Sequence, residues 1–249
     1  MMTNYKLILA YDGTRYDGWQ KQRNTPNTIQ GKLETLLTRL EGQETEVHGA
    51  GRTDAGVHAR EQVCHCHLHK EYSPEELRDY INQYLPEDIA VLHIEIVPER
   101  FHARLWATGK TYCYQIRISP VPDVFERKYC YAYGHSLDVE AMRQAAGYLV
   151  GTHDFKSFCA NKHMKKSTVR TLQTIDIREE AGMLRLYYTG DGFLYNMVRI
   201  LTGTLIEVGE GKRTPESMTE LLRQENRQAA GHTAPPQGLT LYKVYYENK

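Results

Sequence analysis

The order of the predicted secondary structure elements repeats along this chain, and this repeat constrains the fold more than any other feature. Through residue 97 the hydrophobic periodicity predicts strand, helix, strand, strand, helix and strand, and from residue 110 the same order recurs with one further helix near residues 214–223. Each half has the element order of a split βαβ unit, the ferredoxin-like arrangement. We therefore expect an α+β fold of two such halves, residues 1–104 and 105–249, whose antiparallel sheets join around a central cleft.

Capping residues predict where the helices begin and end. Ser73 and Glu76 form a capping box with Pro74 at the first helical position, which predicts a helix over residues 74–85. The other predicted helices lie between Thr28 and Gly42, between Asp138 and Gly151, from Phe193 to Val208 (largely buried), and after Thr214 and Pro215. Strands are predicted over residues 5–11, 45–50, 62–69, 89–97, 111–118, 171–178, 183–189 and 239–246.

Composition excludes several classes of protein. Hydrophobic residues make up 41% and charged residues 25% of the 249 residues, which is typical of globular proteins and excludes disordered and fibrous chains. No apolar run approaches the roughly 18 residues of a membrane span, so we expect no membrane association. The five cysteines are odd in number and lack a CxxC spacing. This favours thiols in a reducing compartment, and we expect a cytoplasmic protein.

The segment GAGRTDAGVHA, residues 49–59, carries the strongest chemical signal. Its three glycines and few bulky side chains predict a tight loop that another backbone can approach closely. Asp54 lies in this loop, two residues after Arg52 and four before His58, so a carboxylate has a permanent cation and a titratable ring as sequence neighbours. The alternative is that Asp54 only forms an Asx-type turn with its own backbone.

GRTDAGVHA resembles the signature motif of the tRNA pseudouridine synthase A (TruA) family. Six further blocks resemble that family in the same order and extend the likeness over nearly the whole chain: YDGTRYDGWQ (11–20), FHAR (101–104), KTYCYQI (110–116), GTHDFKSF (151–158), FLYNMVR (193–199) and GLTL (238–241). The resemblance implies the pseudouridine synthase fold and an isomerase that converts uridine to pseudouridine in the anticodon arm of tRNA, at nucleotide positions 38, 39 and 40. It also implies a homodimer that binds tRNA and needs neither cofactor nor metal.

The resemblance also implies roles for individual residues. Asp54 matches the catalytic nucleophile, and Arg199 matches the arginine that keeps this carboxylate ionised. Arg199 could also anchor a buried helix through a salt bridge.

Three further residues match substrate-binding positions of the family, and each has a simpler alternative. Tyr112 matches the tyrosine that stacks on the flipped uracil, although Tyr112 and Tyr114 share one strand face and could simply pack there. Arg52 matches the arginine that holds the stem open beside the flipped base, and a phosphate contact or a turn salt bridge is the alternative. Leu241 matches a residue that lines the uracil pocket, although an apolar strand residue usually belongs to the core.

Two other interpretations remain open. The first is a metal-dependent enzyme, because residues 62–70 (QVCHCHLHK) contain two cysteines and three histidines. Strand alternation would direct Cys64 and Cys66 to one face and the histidines to the other, so we expect no mixed metal site and no bound metal. The second is an RNA-binding module without catalysis.

The net charge is zero, with 31 basic and 31 acidic residues, which is unusual for a tRNA-binding protein. From Asp154 to Arg170, however, five basic residues accompany one acidic residue, and this stretch is the candidate for contacts with RNA phosphates.

Overall fold

The computed structural model describes residues 2–161 and 163–247, so Lys162 of the basic stretch lies outside the described residues. The chain divides into two compact units, Met1–Thr108 with Leu241–Lys249, and Gly109–Thr240. This grouping assigns residues 105–108 and the strand from Leu241 onward to the first unit. No helix of the described residues is long and apolar enough to span a membrane.

The structure contains ten strands and five α-helices in its described residues. The strands are β1 Thr3–Tyr11, β2 His48–Gly49, β3 His58–Leu68, β4 Ile89–Val97, β5 Ala107–Arg117, β6 Tyr131–Ala132, β7 Gly151–Asp154, β8 Val169–Glu180, β9 Met183–Gly190 and β10 Leu239–Tyr246. The helices are α1 Ile29–Glu41, α2 Pro74–Tyr84, α3 Val139–Leu149, α4 Met197–Gly209 and α5 Ser217–Gln224. The predicted α+β class is confirmed.

In the first unit, the sheet has the strand order β4-β1-β3-β10, and β2 pairs with β3. β1 is antiparallel to both β3 and β4, as in a split βαβ unit. The side chains of Tyr5, Leu7 and Leu9 on one face of β1 are fully buried, and Cys66 and Cys64 lie opposite Tyr5 and Leu7 on β3. α2 packs on β4 and against α1. The core of this unit is therefore built on the face that carries the cysteines.

In the second unit, the antiparallel strands have the order β5-β9-β8-β7, and the short strand β6 runs parallel to β5. α3 packs against α4, β8 and α5. Eleven of the 13 residues of α4 are buried, which confirms the prediction of a largely buried helix. This burial matters for function because α4 carries Arg199.

The predicted N-caps of α1, α2 and α3 are confirmed, whereas several other boundaries differ. The side chains of Thr28, Ser73 and Asp138 accept hydrogen bonds from backbone N–H groups at the starts of α1, α2 and α3. α4 begins at Met197 rather than Phe193, because Asn196 has a left-handed backbone with φ of 60°.

The strand predicted over residues 45–50 is reduced to His48–Gly49. Thr45 N–H donates to Thr38 Oγ1 and Val47 N–H donates to Glu34 Oε1, so side chains of α1 replace a strand ladder. β6 and β7 are too short to have been predicted from periodicity.

Candidate active site

Asp54 lies in the loop of residues 50–57, which joins β2 to β3 in the first unit. Its carbonyl oxygen accepts a hydrogen bond from Val57 N at 3.1 Å, and Gly56 has a positive φ of 76°. These two features close a turn that begins at Asp54, as the spacing of small residues predicted. Asp54 is half-buried and Arg52 is exposed, so the turn presents a carboxylate and a guanidinium near the surface of this unit.

The backbone that approaches this loop closely belongs to the chain itself. Trp19 N donates to Thr53 O at 3.0 Å, and Gly56 N donates to Tyr16 O at 3.2 Å. Gly18 has a φ of 93°, and a Cβ added there would lie 2.6 Å from Thr53 O. Close approach is therefore confirmed, and it explains why the block Tyr11–Gln20 carries glycine between its aromatic residues.

Two buried polar side chains, those of Tyr11 and Gln62, also contact the loop. The hydroxyls of Tyr11 and Thr53 are 2.8 Å apart, and Gln62 Nε2 donates to Gly51 O at 3.0 Å. Neither Tyr11 nor Gln62 was among the functional residues predicted from the sequence. The available signal was a polar side chain at the end of the first predicted strand, Tyr11, and at the start of the third, Gln62.

His58 is nearly fully buried and contacts residues 12 and 13. Its Nδ1 accepts from Gly13 N at 3.0 Å, and the same atom lies 3.2 Å from Asp12 Oδ1. One nitrogen cannot both accept from Gly13 and carry a proton for Asp12. We assign the hydrogen bond to Gly13, because a backbone N–H can only donate. His58 therefore holds the neighbouring segment in place through this hydrogen bond.

Tyr112 and Tyr114 lie on the same face of β5 in the second unit, as alternation predicted. The Tyr112 ring is 5.0 Å from the Phe193 ring at an interplanar angle of 79°, an edge-to-face contact, and Tyr112 is 8% exposed. Tyr114 is fully buried and its hydroxyl donates to Pro235 O at 2.7 Å. Tyr114 thus supports the segment before β10.

Arg199 is half-buried on the first turn of α4 and is held by its own unit. Its Nε donates to Ala234 O at 2.7 Å and its Nη1 donates to Asn196 Oδ1 at 2.9 Å. One turn later, a Cβ added to Gly203 would lie 1.9 Å from His232 O, so the segment before β10 lies directly against the helix. The Arg199 guanidinium therefore anchors the start of α4 to the segment before β10.

Leu241 lies on β10 and is fully buried, and β10 from this residue onward belongs to the first unit. Of the predicted site residues, Arg52, Asp54 and Leu241 are in the first unit, and Tyr112 and Arg199 are in the second.

The cysteines and histidines of β3 separate as predicted. Cys64 and Cys66 lie opposite the buried residues of β1, whereas His65 lies opposite Lys6. Among the residues that the structure describes, no group of three or more His, Cys, Asp or Glu side chains could hold a metal ion. All five cysteines are buried thiols.

The fold gathers a cluster of imidazoles that the sequence did not reveal. The ring of His65 is 4.7 Å from that of His102 and 5.1 Å from that of His48. Burial, and then the neighbouring imidazoles, lower the pKa of His65 to about 4. His65 is therefore neutral at neutral pH.

The basic stretch is exposed at Lys165 and Lys166. Lys156 forms an ion pair with Glu225 at 2.9 Å, which reduces the local positive charge. The charge available for an anionic partner is therefore smaller than the sequence count indicated.

Comparisons with known proteins agree on one family. A family model described as tRNA pseudouridine synthase matches residues 7–104 and 145–247. The tRNA pseudouridine synthase A of Geobacillus sp. (strain WCH70) is 45% identical over 249 residues, 100% of both chains. The tRNA pseudouridine synthase A 2 of Clostridium perfringens (strain 13 / Type A) is 44% identical over 245 residues, 98% of this chain and 100% of the relative.

Among solved structures, a Cbf5-Nop10-Gar1 complex is 13% identical with a TM-score of 0.34, covering 81% of this chain and 45% of that chain. This likeness is too low to bear on the fold.

Proposed function

Because this chain belongs to the tRNA pseudouridine synthase family, we propose that it isomerises uridine to pseudouridine in tRNA with Asp54 as the nucleophile. The resemblance inferred from seven ordered motifs is confirmed at the level of the family. The observation that carries the proposal for Asp54 is its position at the head of a turn that neighbouring backbone supports on both sides.

The chemistry explains why a carboxylate suits this reaction. The N-glycosidic bond of the uridine breaks and the uracil turns over. A carbon–carbon bond to the ribose then forms, the hydrogen on that uracil carbon leaves as a proton, and the nitrogen released from the ribose takes up a proton. The nucleophile must attack and then leave again, which an ionised carboxylate does. Substrate and product are isomers, so the reaction needs no external oxidant or reductant.

Arg199 is proposed to keep Asp54 ionised, a role taken from the family resemblance. A guanidinium stabilises the charged form of a carboxylate and lowers its pKa. The bonds from Nε and Nη1 to Ala234 and Asn196 limit the orientations of this side chain. Arg199→Gln should therefore move the acid limb of the profile of kcat/KM against pH to higher pH. An unchanged acid limb would restrict Arg199 to its anchoring function.

The other three residues are proposed to bind substrate. A uridine in a stem must leave the base stack before it can react, and Tyr112 would stack on the flipped base. Its edge-to-face contact with Phe193 would hold the ring ready for this. Arg52, which is exposed on the Asp54 loop, would hold the stem open, and Leu241 would line the uracil pocket.

The proposed substrate is the anticodon arm of tRNA at nucleotide positions 38, 39 and 40. Exposed Lys165 and Lys166 are the candidates for phosphate contacts in a chain whose net charge is zero. If local positive charges bind the RNA phosphates, tRNA binding releases counterions. The affinity for tRNA should therefore fall steeply as the salt concentration rises. A flat response to salt in a binding titration would contradict a phosphate-led interface.

We also propose a cytoplasmic homodimer. Five buried thiols are consistent with a reducing compartment. Light scattering should give twice the 28.8 kDa mass of one chain. A stable monomer at working concentration would count against the dimer.

Release of tritium from uracil-5-tritiated tRNA tests the reaction and the nucleophile together, because carbon-linked joining expels the label. The wild type should release tritium and Asp54→Asn should not. Asp79→Asn, an exposed aspartate of α2, is the matched control and should retain activity. No release by the wild type, with tRNA still bound, would favour the RNA-binding module. Stoichiometric zinc in elemental analysis would restore the metal-dependent alternative.

A further inference from the structure

Three buried polar side chains from different parts of the first unit meet next to the Asp54 turn. Tyr11 ends β1, Gln62 lies within β3, and Thr53 directly precedes Asp54; they are 5%, 0% and 6% exposed. The hydroxyls of Tyr11 and Thr53 share a hydrogen bond of 2.8 Å. Gln62 Nε2 donates to Gly51 O at 3.0 Å and lies 3.5 Å from Tyr11 Oη. The three side chains form one connected network.

This network lies at the end of a strand face that is apolar at Leu7 and Leu9. Along β1, Tyr5, Leu7 and Leu9 precede Tyr11 on the same face and are fully buried. Gln62 lies directly opposite Leu9 on β3. Buried polar groups stabilise a fold less than apolar groups of the same size unless every one is hydrogen-bonded. The polar groups at this end of the face are the ones that hydrogen-bond the loop of Asp54.

The network holds the backbone on the amino-terminal side of Asp54 at two points. Gln62 holds the carbonyl of Gly51, and Tyr11 holds the side chain of Thr53. The carbonyl of Thr53 also accepts from Trp19 N at 3.0 Å. Burial raises the pKa of Tyr11, so the hydroxyl stays protonated throughout the pH range of enzyme assays.

We propose that Tyr11 and Gln62 are positioning residues that act through Thr53 and Gly51 to fix the place of the Asp54 carboxylate. The inference rests on the proposed function, in which Asp54 is the nucleophile. A nucleophile displaced by about 1 Å loses up to about a hundredfold in rate, because attack requires a narrow range of distances and angles. Removing the network should therefore lower kcat and leave tRNA affinity unchanged.

The test compares Tyr11→Phe with Tyr5→Phe. Tyr5 lies on the same strand and face, and its hydroxyl donates to Tyr72 O at 2.9 Å, so both variants remove one buried hydroxyl. Tyr11→Phe should lower the single-turnover rate by about tenfold to a hundredfold with unchanged Kd for tRNA. Tyr5→Phe should lower the thermal midpoint and leave the rate unchanged.

A double-mutant cycle separates positioning from general destabilisation. Thr53→Val should lower the rate as Tyr11→Phe does, and the double variant should be no slower than either single variant, because both changes remove one interaction. Thr53→Ser, which keeps the hydroxyl, should restore most of the rate. Gln62→Met gives a second route to the same result if Tyr11→Phe folds poorly.

Two results would overturn the inference. One is a wild-type rate for both Tyr11→Phe and Gln62→Met in folded protein, and the other is fully additive losses in the cycle. Asp54→Asn distinguishes failure of the positioning inference from failure of the proposed function. If Asp54→Asn is inactive and Tyr11→Phe has the wild-type rate, positioning fails and the proposed function stands. If Asp54→Asn is fully active, the proposed nucleophile fails and the inference fails with it.

Discussion

Acidification should destabilise this protein through His65. The ring is 2% exposed, its Nδ1 accepts from Ala103 N at 3.2 Å, and its pKa is lowered to about 4 by burial and by His102, His48 and His67. The folded protein therefore favours the neutral ring. The stabilisation is fully present above the unfolded pKa of about 6.5 and is lost as the pH falls toward about 4.

The size of the effect follows from these two pKa values. At pH 5 about 90% of the folded rings and about 3% of the unfolded rings are neutral, a ratio of about thirty. This ratio corresponds to about 2 kcal/mol of stability lost between pH 7.5 and pH 5. Such a loss is a large fraction of a typical free energy of unfolding, which is about 5–15 kcal/mol.

Urea unfolding of the wild type and of His65→Gln at pH 7.5, 6.0 and 5.0 measures this loss directly. The glutamine can still accept from Ala103 N but does not titrate, so the variant should lose about 2 kcal/mol less than the wild type over this range. His69→Gln, at an exposed position just beyond β3, is the control and should follow the wild type. Parallel losses in the wild type and His65→Gln would refute the reasoning. The measurement also shows how much of any loss of activity at low pH is caused by unfolding.

Two further predictions concern contacts of helices α4 and α1 with the segments packed against them. Gly203→Ala should destabilise the protein by about 1–3 kcal/mol and reduce activity, because the new Cβ must displace the segment at His232 that lies against α4. Thermal unfolding measures the loss of stability, and the tritium assay measures the loss of activity. Glu34→Ala should cost about 1–3 kcal/mol in urea unfolding, because Glu34 is 5% exposed and its loss leaves the buried Val47 N–H without an acceptor.

Each of these predictions has a matched control. Gly147→Ala on α3 adds a Cβ with no atom within 4 Å and should stabilise the helix by about 0.5–1 kcal/mol. If Gly203→Ala were as benign as Gly147→Ala, the close approach at α4 would be wrong. Glu44→Ala changes an exposed glutamate near the same loop and should have little effect. Equal losses for Glu34→Ala and Glu44→Ala would contradict the role of burial.

Local interactions were predictable from the sequence. The caps of α1, α2 and α3 each require one polar side chain and a backbone N–H three residues later, so they were read correctly at Thr28, Ser73 and Asp138. Strand alternation also depends only on residues close in sequence, and it placed Cys64 and Cys66 on the same face correctly. The seven motifs identified the family, and the small residues around Asp54 predicted a tight turn.

Contacts between different secondary structure elements were decided by the tertiary structure alone. The strand expected at residues 45–50 was shortened because Glu34 and Thr38 of α1 take its backbone donors. Likewise, β10 from Leu241 onward belongs to the first unit although it follows the second unit in sequence.

The surroundings of the proposed site show the same division. The motif around Asp54 is continuous in sequence and could be recognised there. The network of Tyr11 and Gln62 joins residues 51 positions apart, and the imidazole cluster brings His102 to His65 across 37 positions. Sequence periodicity reports only which residues share a helix or strand face. Which faces and loops then meet depends on the packing of the whole unit, and that packing determines how the proposed nucleophile is held.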